Sequence, residues 1–193
     1  MYKYRIKYIV YSAKRMSLWQ DVRCYHTLIT IPKLFASCQK LARVSFPDSL
    51  NLIGAGAFSG CTKLTKVDIP DTVVYIGRSA FSGTNWLKAQ SNEAFIVAGD
   101  GILVQYNGND ENIVIPDTVK RIPSYRFASL ATEPKSFTIP SSVQYISADA
   151  FDQRVEDSDS YYYEKRYVTI IGRKGTYAET FANHEYYTFE AIK

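Results

Sequence analysis

A period of 23 residues constrains this chain more than any other feature. Residues 46–68, FPDSLNLIGAGAFSGCTKLTKVD, and residues 69–91, IPDTVVYIGRSAFSGTNWLKAQS, superimpose as Pro-Asp-Ser/Thr-aliphatic, then Ile-Gly, then Ala-Phe-Ser-Gly. The proline column is Pro47, Pro70, Pro116 and Pro140, with gaps of 23, 46 and 24; Phe58, Phe81, Phe127 and Phe151 repeat the same gaps. Ile53, Ile76, Ile122 and Ile146 each follow their proline by six positions. The double gap marks one copy, 92–114, that has lost the signature. A period in this range is the mark of a solenoid. So short a unit cannot enclose a core, so copies must stack and bury the same column repeatedly. The expected buried ladders are these phenylalanines and isoleucines, Leu50/Val73/Val119/Val143 and Val44/Val67/Ile113/Phe137. Column neighbours on paired strands should lie about 4.8 Å apart.

Each coil is expected to hold two short strands, one around LTKVDI and one around VVYIG. Proline at the first strand's end suits a corner where the chain leaves the ladder, and Ser-Gly marks a second turn. Ala-Phe-Ser-Gly is expected to form a short 3₁₀ or helical turn. TLITIP, 27–32, reads as the strand and proline of a first coil, but Phe35 follows Pro32 by 3 where 11 is the rule, as if eight residues were missing. In the blank copy, AFIVA and ILVQY flank Gly99–Gly101, which predicts a hairpin standing in for a coil without breaking register. Residues 152–167, DQRVEDSDSYYYEKRY, are acidic first and then tyrosine-rich, and read as an exposed loop. VTIIG, TYAETFANH and TFEAI predict strand, helix and strand, with Thr176 as N-cap and Glu179 as its capping-box partner.

These residues resemble a known family. The pattern L-x-x-V-x-I-P-x-x-V-x-x-I-G-x-x-A-F-x-G-C is similar to the leucine-rich repeat of the BspA type, and LTKVDIPDTVVYIGRSAFSG at 64–83 carries it almost in full. The resemblance extends over 29–193 and is specific over 41–151. It implies a mainly β leucine-rich-repeat solenoid of about 23-residue coils. It also implies a non-catalytic bacterial surface or secreted protein that binds protein or glycan ligands in adhesion. The hairpin and the strand–helix–strand end resemble devices of the same family. Pro123 and Ser147 depart from the Gly that follows Ile, so that turn need not have positive φ.

The expected organisation is a basic strand and cap over 1–28, the solenoid over 29–167 and a C-terminal cap over 168–193. Tyr2, Tyr4, Ile6, Tyr8 and Val10 alternate with Lys3, Arg5 and Lys7, as a half-wet strand would. Net charge is +4, and residues 1–26 alone carry six cations against Asp21. A basic arm can attract acidic polymers, but a solvated strand face is the simpler reading, and no nucleic-acid partner is expected. Cys38 and Cys61 are 23 apart and share a column, as small buried side chains would. No apolar run approaches the ~18 residues of a membrane span. YIVYSA is short of a signal-peptide core; the resemblance nonetheless implies an extracellular or cell-surface location.

Signals for chemistry are sparse. His26 and His184 stand far apart, and Cys24 near His26 reads most simply as strand side chains. Gly54 to Gly60 is repeat punctuation, since the next copy has Gly77 to Gly83 in the same place. Glu156, Asp157 and Asp159 fit no EF-hand order. No catalytic residue, cofactor or metal site is expected. What remains is surface. The outward strand column Leu52, Tyr75, Arg121, Tyr145, with Lys66 on the other strand and Tyr161, Tyr162 and Tyr163 extending it, is the candidate binding face. Rigid aromatic and arginine side chains suit such contacts, although strand surfaces also favour tyrosine for its own sake. The alternatives are a structural spacer within a larger surface protein and a hydrolase-associated module.

Overall fold

The structure, a computed structural model, describes residues 4–6, 21–24, 28–29, 32–130, 133–157 and 160–192. Two compact units are present, residues 1–93 with 98–100 and residues 94–97 with 101–193. The first holds β1 (Tyr4–Ile6), β2 (Asp21–Cys24), β3 (Leu28–Ile29), β4 (Arg43–Ser45), β5 (Leu52–Ile53), β6 (Lys66–Asp68), β7 (Tyr75–Ile76) and the short helix α1 (Asn85–Lys88). The second holds β8 (Phe95–Ala98, save its last residue), β9 (Ile102–Tyr106), β10 (Asn112–Val114), β11 (Arg121–Ile122), β12 (Ser136–Thr138) and β13 (Tyr145–Ile146). It continues with β14 (Gln153–Asp157), β15 (Ser160–Glu164), β16 (Thr169–Gly172), α2 (Tyr177–His184) and β17 (Thr188–Ala191).

Each coil sends its two strands to two different sheets, in which successive coils pair in parallel. In the first unit these are β1-β2-β4-β6 and β3-β5-β7; in the second, β10-β12-β16-β17 and β13-β11-β9-β8. The 23-residue spacing becomes register directly: Val44 pairs with Val67 and Ile53 with Ile76. In the second unit Ile113 pairs with Phe137 and Ile122 with Ile146. Of these paired side chains only Val67 is not fully buried, and Leu50, Val73, Val119 and Val143 are buried as well. The side-chain period of two explains the selectivity, because the middle residue of a three-residue strand points inward while its neighbours point away; Ser136 in β12 is buried as well.

The Phe column stacks within each unit. Phe58 lies between Phe35 (centroids 5.2 Å, planes 7° apart) and Phe81 (5.5 Å, 3°), and Trp86 closes on Phe81 at 4.9 Å. In the second unit Phe127 stacks on Phe151 at 5.5 Å. Tyr106 of the hairpin packs on Phe127 at 5.6 Å, and Phe95 packs on Tyr106 at 4.7 Å.

The Ala-Phe-Ser-Gly arc makes the expected 3₁₀-type turns, with Ala57 and Ser59 N–H donating to Gly54 O and Gly56 O (3.2 and 3.0 Å), and is also a third ladder between coils. Lys33, Phe35 and Ser37 N–H donate to the carbonyls of Ala55, Ala57 and Ser59 in the next coil (2.9, 2.8 and 2.7 Å). Gly56, Phe58 and Gly60 repeat the pattern onto Arg78, Ala80 and Ser82. The bends on either side of Phe are left-handed in columns: Lys33, Gly56 and Ser79 at φ 58°, 61° and 55°, and Ser37, Gly60 and Gly83 at 60°, 73° and 74°. Gly77 itself is not left-handed. Its glycine serves close approach, since a Cβ there would meet Ala55 N at 2.4 Å.

The structure corrects three expectations. TLITIP does not supply a first-strand proline: Leu28 and Ile29 pair with Leu52 and Ile53, so β3 is a second strand. The first strand of that coil is β2, with Val22 opposite Val44. No eight residues are missing, because Pro32 does not occupy the proline column. Residues 152–167 are not a loop: β14 and β15 form an antiparallel hairpin with Gln153 opposite Glu164 and Val155 opposite Tyr162. Val155 and the tyrosine run supply the β-favouring side chains that pair there. Thr176 is the N-cap, but the capping box does not form. Its Oγ donates to Arg173 O at 2.7 Å, and the Glu179 carboxylate accepts from Gly175 N instead (2.7 Å).

Elsewhere expectation and structure agree. The blank copy holds the β8–β9 hairpin, with Gly99 and Gly101 left-handed at 54° and 76°. β6 and β10 belong to different sheets. The end is strand–helix–strand: β16 pairs in parallel with β17, and α2 buries Ala178, Phe181 and Ala182 between them in sequence. Cys38 and Cys61 are buried and free. Cys61 Sγ donates to Phe35 O at 3.0 Å, and its thiol is pushed up by the hydrogen bond with Cys38 and by burial. Of the basic N-terminal strand, β1 pairs with β2 and the rest lies outside the described residues.

The hairpin tyrosine is expected to make the second unit alkali-sensitive. Tyr106 is buried and donates to Asp110 Oδ2 at 2.7 Å. Burial first, and that hydrogen bond second, push its phenol up to about 12. The folded pKa is raised, so its stabilisation is intact below about pH 10 and is lost as pH climbs towards 12, at most about 2–3 kcal/mol. Urea titrations across that window are expected to show the loss, and Tyr106→Phe is expected to flatten it. Tyr187, also raised by burial, leaves a residual slope.

Candidate binding surface

The expected column is realised as two pairs. Leu52 lies in register with Tyr75 on β5 and β7, both half-buried. Arg121 lies in register with Tyr145 on β11 and β13; Arg121 is half-buried and Tyr145 is 38% exposed. On its other side Arg121 neighbours Ile102, which is wholly buried, so the outward stripe ends there. In both pairs the next residue is a buried isoleucine, which fixes the outward side chain against a packed backbone.

Lys66 is exposed but belongs to the other sheet, in register with Arg43, so it is not part of that stripe. The two cations form an outward pair of their own, beside Ser45 and Asp68. The tyrosine run is divided by strand alternation: Tyr162 is 50% exposed, whereas Tyr163 packs on Tyr125, centroids 4.3 Å apart and planes tilted by 37°. Tyr161's side chain lies outside the described residues, as do the side chains of Glu156 and Asp157, with Asp159, Cys24's side chain and His26. His184 is exposed, with Nδ1 2.9 Å from Glu185 Oε1. Among the described residues no cluster of His, Cys, Asp or Glu is placed to hold a metal, and no helix is long and apolar enough to cross a membrane.

Sequence reasoning missed one concave region. At the open end of the β14–β15 hairpin a cleft of about 670 Å³ is bounded by the segment before β12 and the segment between β15 and β16. Gln153 Nε2 donates to Glu164 Oε1 (2.6 Å) at the hairpin's root. Arg166 lines the cleft although its side chain is only 4% exposed. Its Nη1 donates to Phe127 O (3.0 Å) and its Nε to Glu133 Oε2 (3.2 Å). Burial lowers the guanidinium's pKa, opposed by Glu133. Lys165 Nζ donates to Glu185 O and sits 4.4 Å over the Tyr187 ring, while Tyr167 is 89% exposed. In the sequence EKRY looked like ordinary solvated charge; only the pairing of β15 and β16 with their neighbours buries one of its two cations.

A family model described as the BspA type leucine-rich repeat region matches residues 29–156 in six copies. A search of curated proteins finds no match. Among solved structures, the chain is similar to a leucine-rich cell surface protein of Faecalibacterium prausnitzii, at 28% identity and a TM-score of 0.36, over 66% of this chain and 37% of that one. It is also similar to a leucine-rich repeat protein of T. pallidum (23% identity, TM-score 0.35, 88% of this chain and 78% of that one). A third likeness is a leucine-rich repeat protein of Bacteroides ovatus (18%, TM-score 0.34, 79% and 37%). The chain therefore spans little more than a third of the Faecalibacterium protein. With six matched copies, and strands registered one coil apart in both units, this chain belongs to the BspA-type leucine-rich repeat family.

Proposed function

We propose that this chain is a non-catalytic binding module of a bacterial surface or secreted protein, taking protein or glycan ligands in adhesion. The observation that carries the reading is the Arg121–Tyr145 pair: two side chains of types favoured at contacts, in register, outward, each beside a buried isoleucine. Such a pair loses little conformational entropy on contact, because the backbone beneath it is already fixed. Leu52 and Tyr75 repeat the arrangement in the first unit. Affinity then comes from many modest contacts on pre-formed faces. The test is capture of host matrix proteins and glycans on an array, with Tyr75→Ala plus Tyr145→Ala as the variant. Binding is expected to fall about ten-fold while the thermal midpoint stays in place. An array that returns no ligand, or a double variant that binds as before, would transfer the reading to a spacer that presents another domain.

A further inference from the structure

We propose that the cleft at the root of the β14–β15 hairpin binds a carboxylated sugar at the end of a glycan, with Arg166 taking the carboxylate and Tyr167 the ring. This rests on the reading of the chain as a binding module and adds a site and a ligand class to it.

The first argument is the state of Arg166. A guanidinium removed from water costs several kcal/mol unless its partners are good ones. Here the partners are a backbone carbonyl and the carboxylate of Glu133, a side chain 74% exposed. An ion pair whose acid stays in water compensates little. A guanidinium carries five N–H donors in a planar fork; Nε and Nη1 are engaged, and Nη2 donates to no described residue. Asp152 also acts on it electrostatically, without a hydrogen bond, so the group is held in place by the fold with one edge of its fork unengaged by any described residue. A ligand carboxylate displacing Glu133 would pair with it in the fork-to-fork manner that gives the strongest such bonds.

The second argument is what else lines the cleft. Three cations, Lys135, Lys165 and Arg166, and two carboxylates, Glu133 and Glu164, line it; Lys135 Nζ is also paired with Glu111 Oε2, and Lys165 Nζ donates to Glu185 O. A run of acidic residues in a peptide would meet those carboxylates and be repelled. A ligand with one charge and many hydroxyls fits both kinds of liner: its charge pairs with Arg166, and its hydroxyls donate to Glu164 and accept from Lys135. Tyr167 projects at the rim, 89% exposed, as a flat face on which a pyranose ring can lie. It lies between buried Arg166 and buried Val168, so alternation along the chain turns it outward beside the cleft. The volume, about 670 Å³, is in the range of small-ligand sites.

The experiment titrates the full chain with three probes: a glucuronate-terminated oligosaccharide, the same oligosaccharide ending in glucose, and a tri-glutamate peptide. The glucuronate probe is expected to bind at least about ten-fold more tightly than either other and to weaken as salt rises. Tyr167→Ala, a change at an exposed side chain, should weaken it about ten-fold without altering the thermal midpoint. Glu133→Gln, which removes the resident competitor, should strengthen it. Arg166→Lys keeps the charge and loses the fork, and should abolish the preference for the acid over the neutral sugar. Equal binding of the neutral sugar, no effect of Tyr167→Ala, weaker binding by Glu133→Gln or preference for the peptide each overturns the cleft proposal. If array ligands are found that Tyr75→Ala plus Tyr145→Ala weakens and the cleft variants do not, the binding-module reading stands and the cleft assignment alone is lost.

Discussion

Phe58→Ala is expected to lower the unfolding free energy of the first unit by about 3–5 kcal/mol. The ring is fully buried and stacked on both sides, by Phe35 at 5.2 Å and Phe81 at 5.5 Å, with Phe46 edge-on at 5.7 Å. Removing it takes away the transfer free energy of a whole aromatic side chain and opens a void between two rings. Those rings cannot close the gap, because the backbone of each coil is held to the next by N–H···O bonds from residues 35 and 58. The cavity term is therefore retained in full, as in cores whose walls do not collapse. Urea unfolding followed by near-ultraviolet circular dichroism gives the number. A loss below about 1 kcal/mol would mean that the column is not the spine of this unit.

Gly77→Ala is expected to cost about 3 kcal/mol, for the opposite reason. A Cβ at this position would lie 2.4 Å from Ala55 N, 2.6 Å from Ala55 Cα and 2.7 Å from Gly54 C. All three are backbone atoms of the neighbouring coil, so no rotamer change relieves the clash. The coils must separate, and the Gly77 N–H bond to Ile53 O, 2.8 Å, is stretched with them. Gly175→Ala is the matched control. It has a left-handed φ of 77° but nothing within 4 Å of a Cβ, and should cost only about 1–2 kcal/mol. A loss at Gly77 no larger than that at Gly175 would show that the close approach of the coils does not select glycine at Gly77.

The contrast also explains why some of the architecture was legible beforehand and some was not. Columns of Pro, Ile and Phe at a fixed step specify which residues face inward, and within each unit the expected ladders are buried save for Val67, which is half-buried. The first coil was misread because Pro32 imitates a column marker; strand register, which places Leu28 opposite Leu52, is a long-range fact that a single dipeptide does not encode. The hairpin at 153–164 was hidden for a related reason: its pairing joins polar and acidic residues to tyrosines, Glu156 to Tyr161 and Arg154 to Tyr163, with no clean alternation of apolar and polar positions. The capping box failed locally, as Glu179 reached Gly175 in place of Thr176.

The candidate surface divides in the same way. That Tyr75, Arg121 and Tyr145 face outward was fixed by the isoleucine next to each, since alternate strand residues take opposite faces. That the stripe stops at buried Ile102, that Lys66 belongs to another sheet, and that Tyr163 turns away to pack on Tyr125 were decided by which strands hydrogen-bond to which. Arg166 is the clearest case. The repeat period determines a coil's inward side chains because every copy solves the same packing problem, whereas a cation in an insertion is buried only when the chain folds Phe127 and Glu133 around it. Periodic sequence thus determined the stack of coils in this protein, and tertiary contact alone decided where a charge was taken out of water.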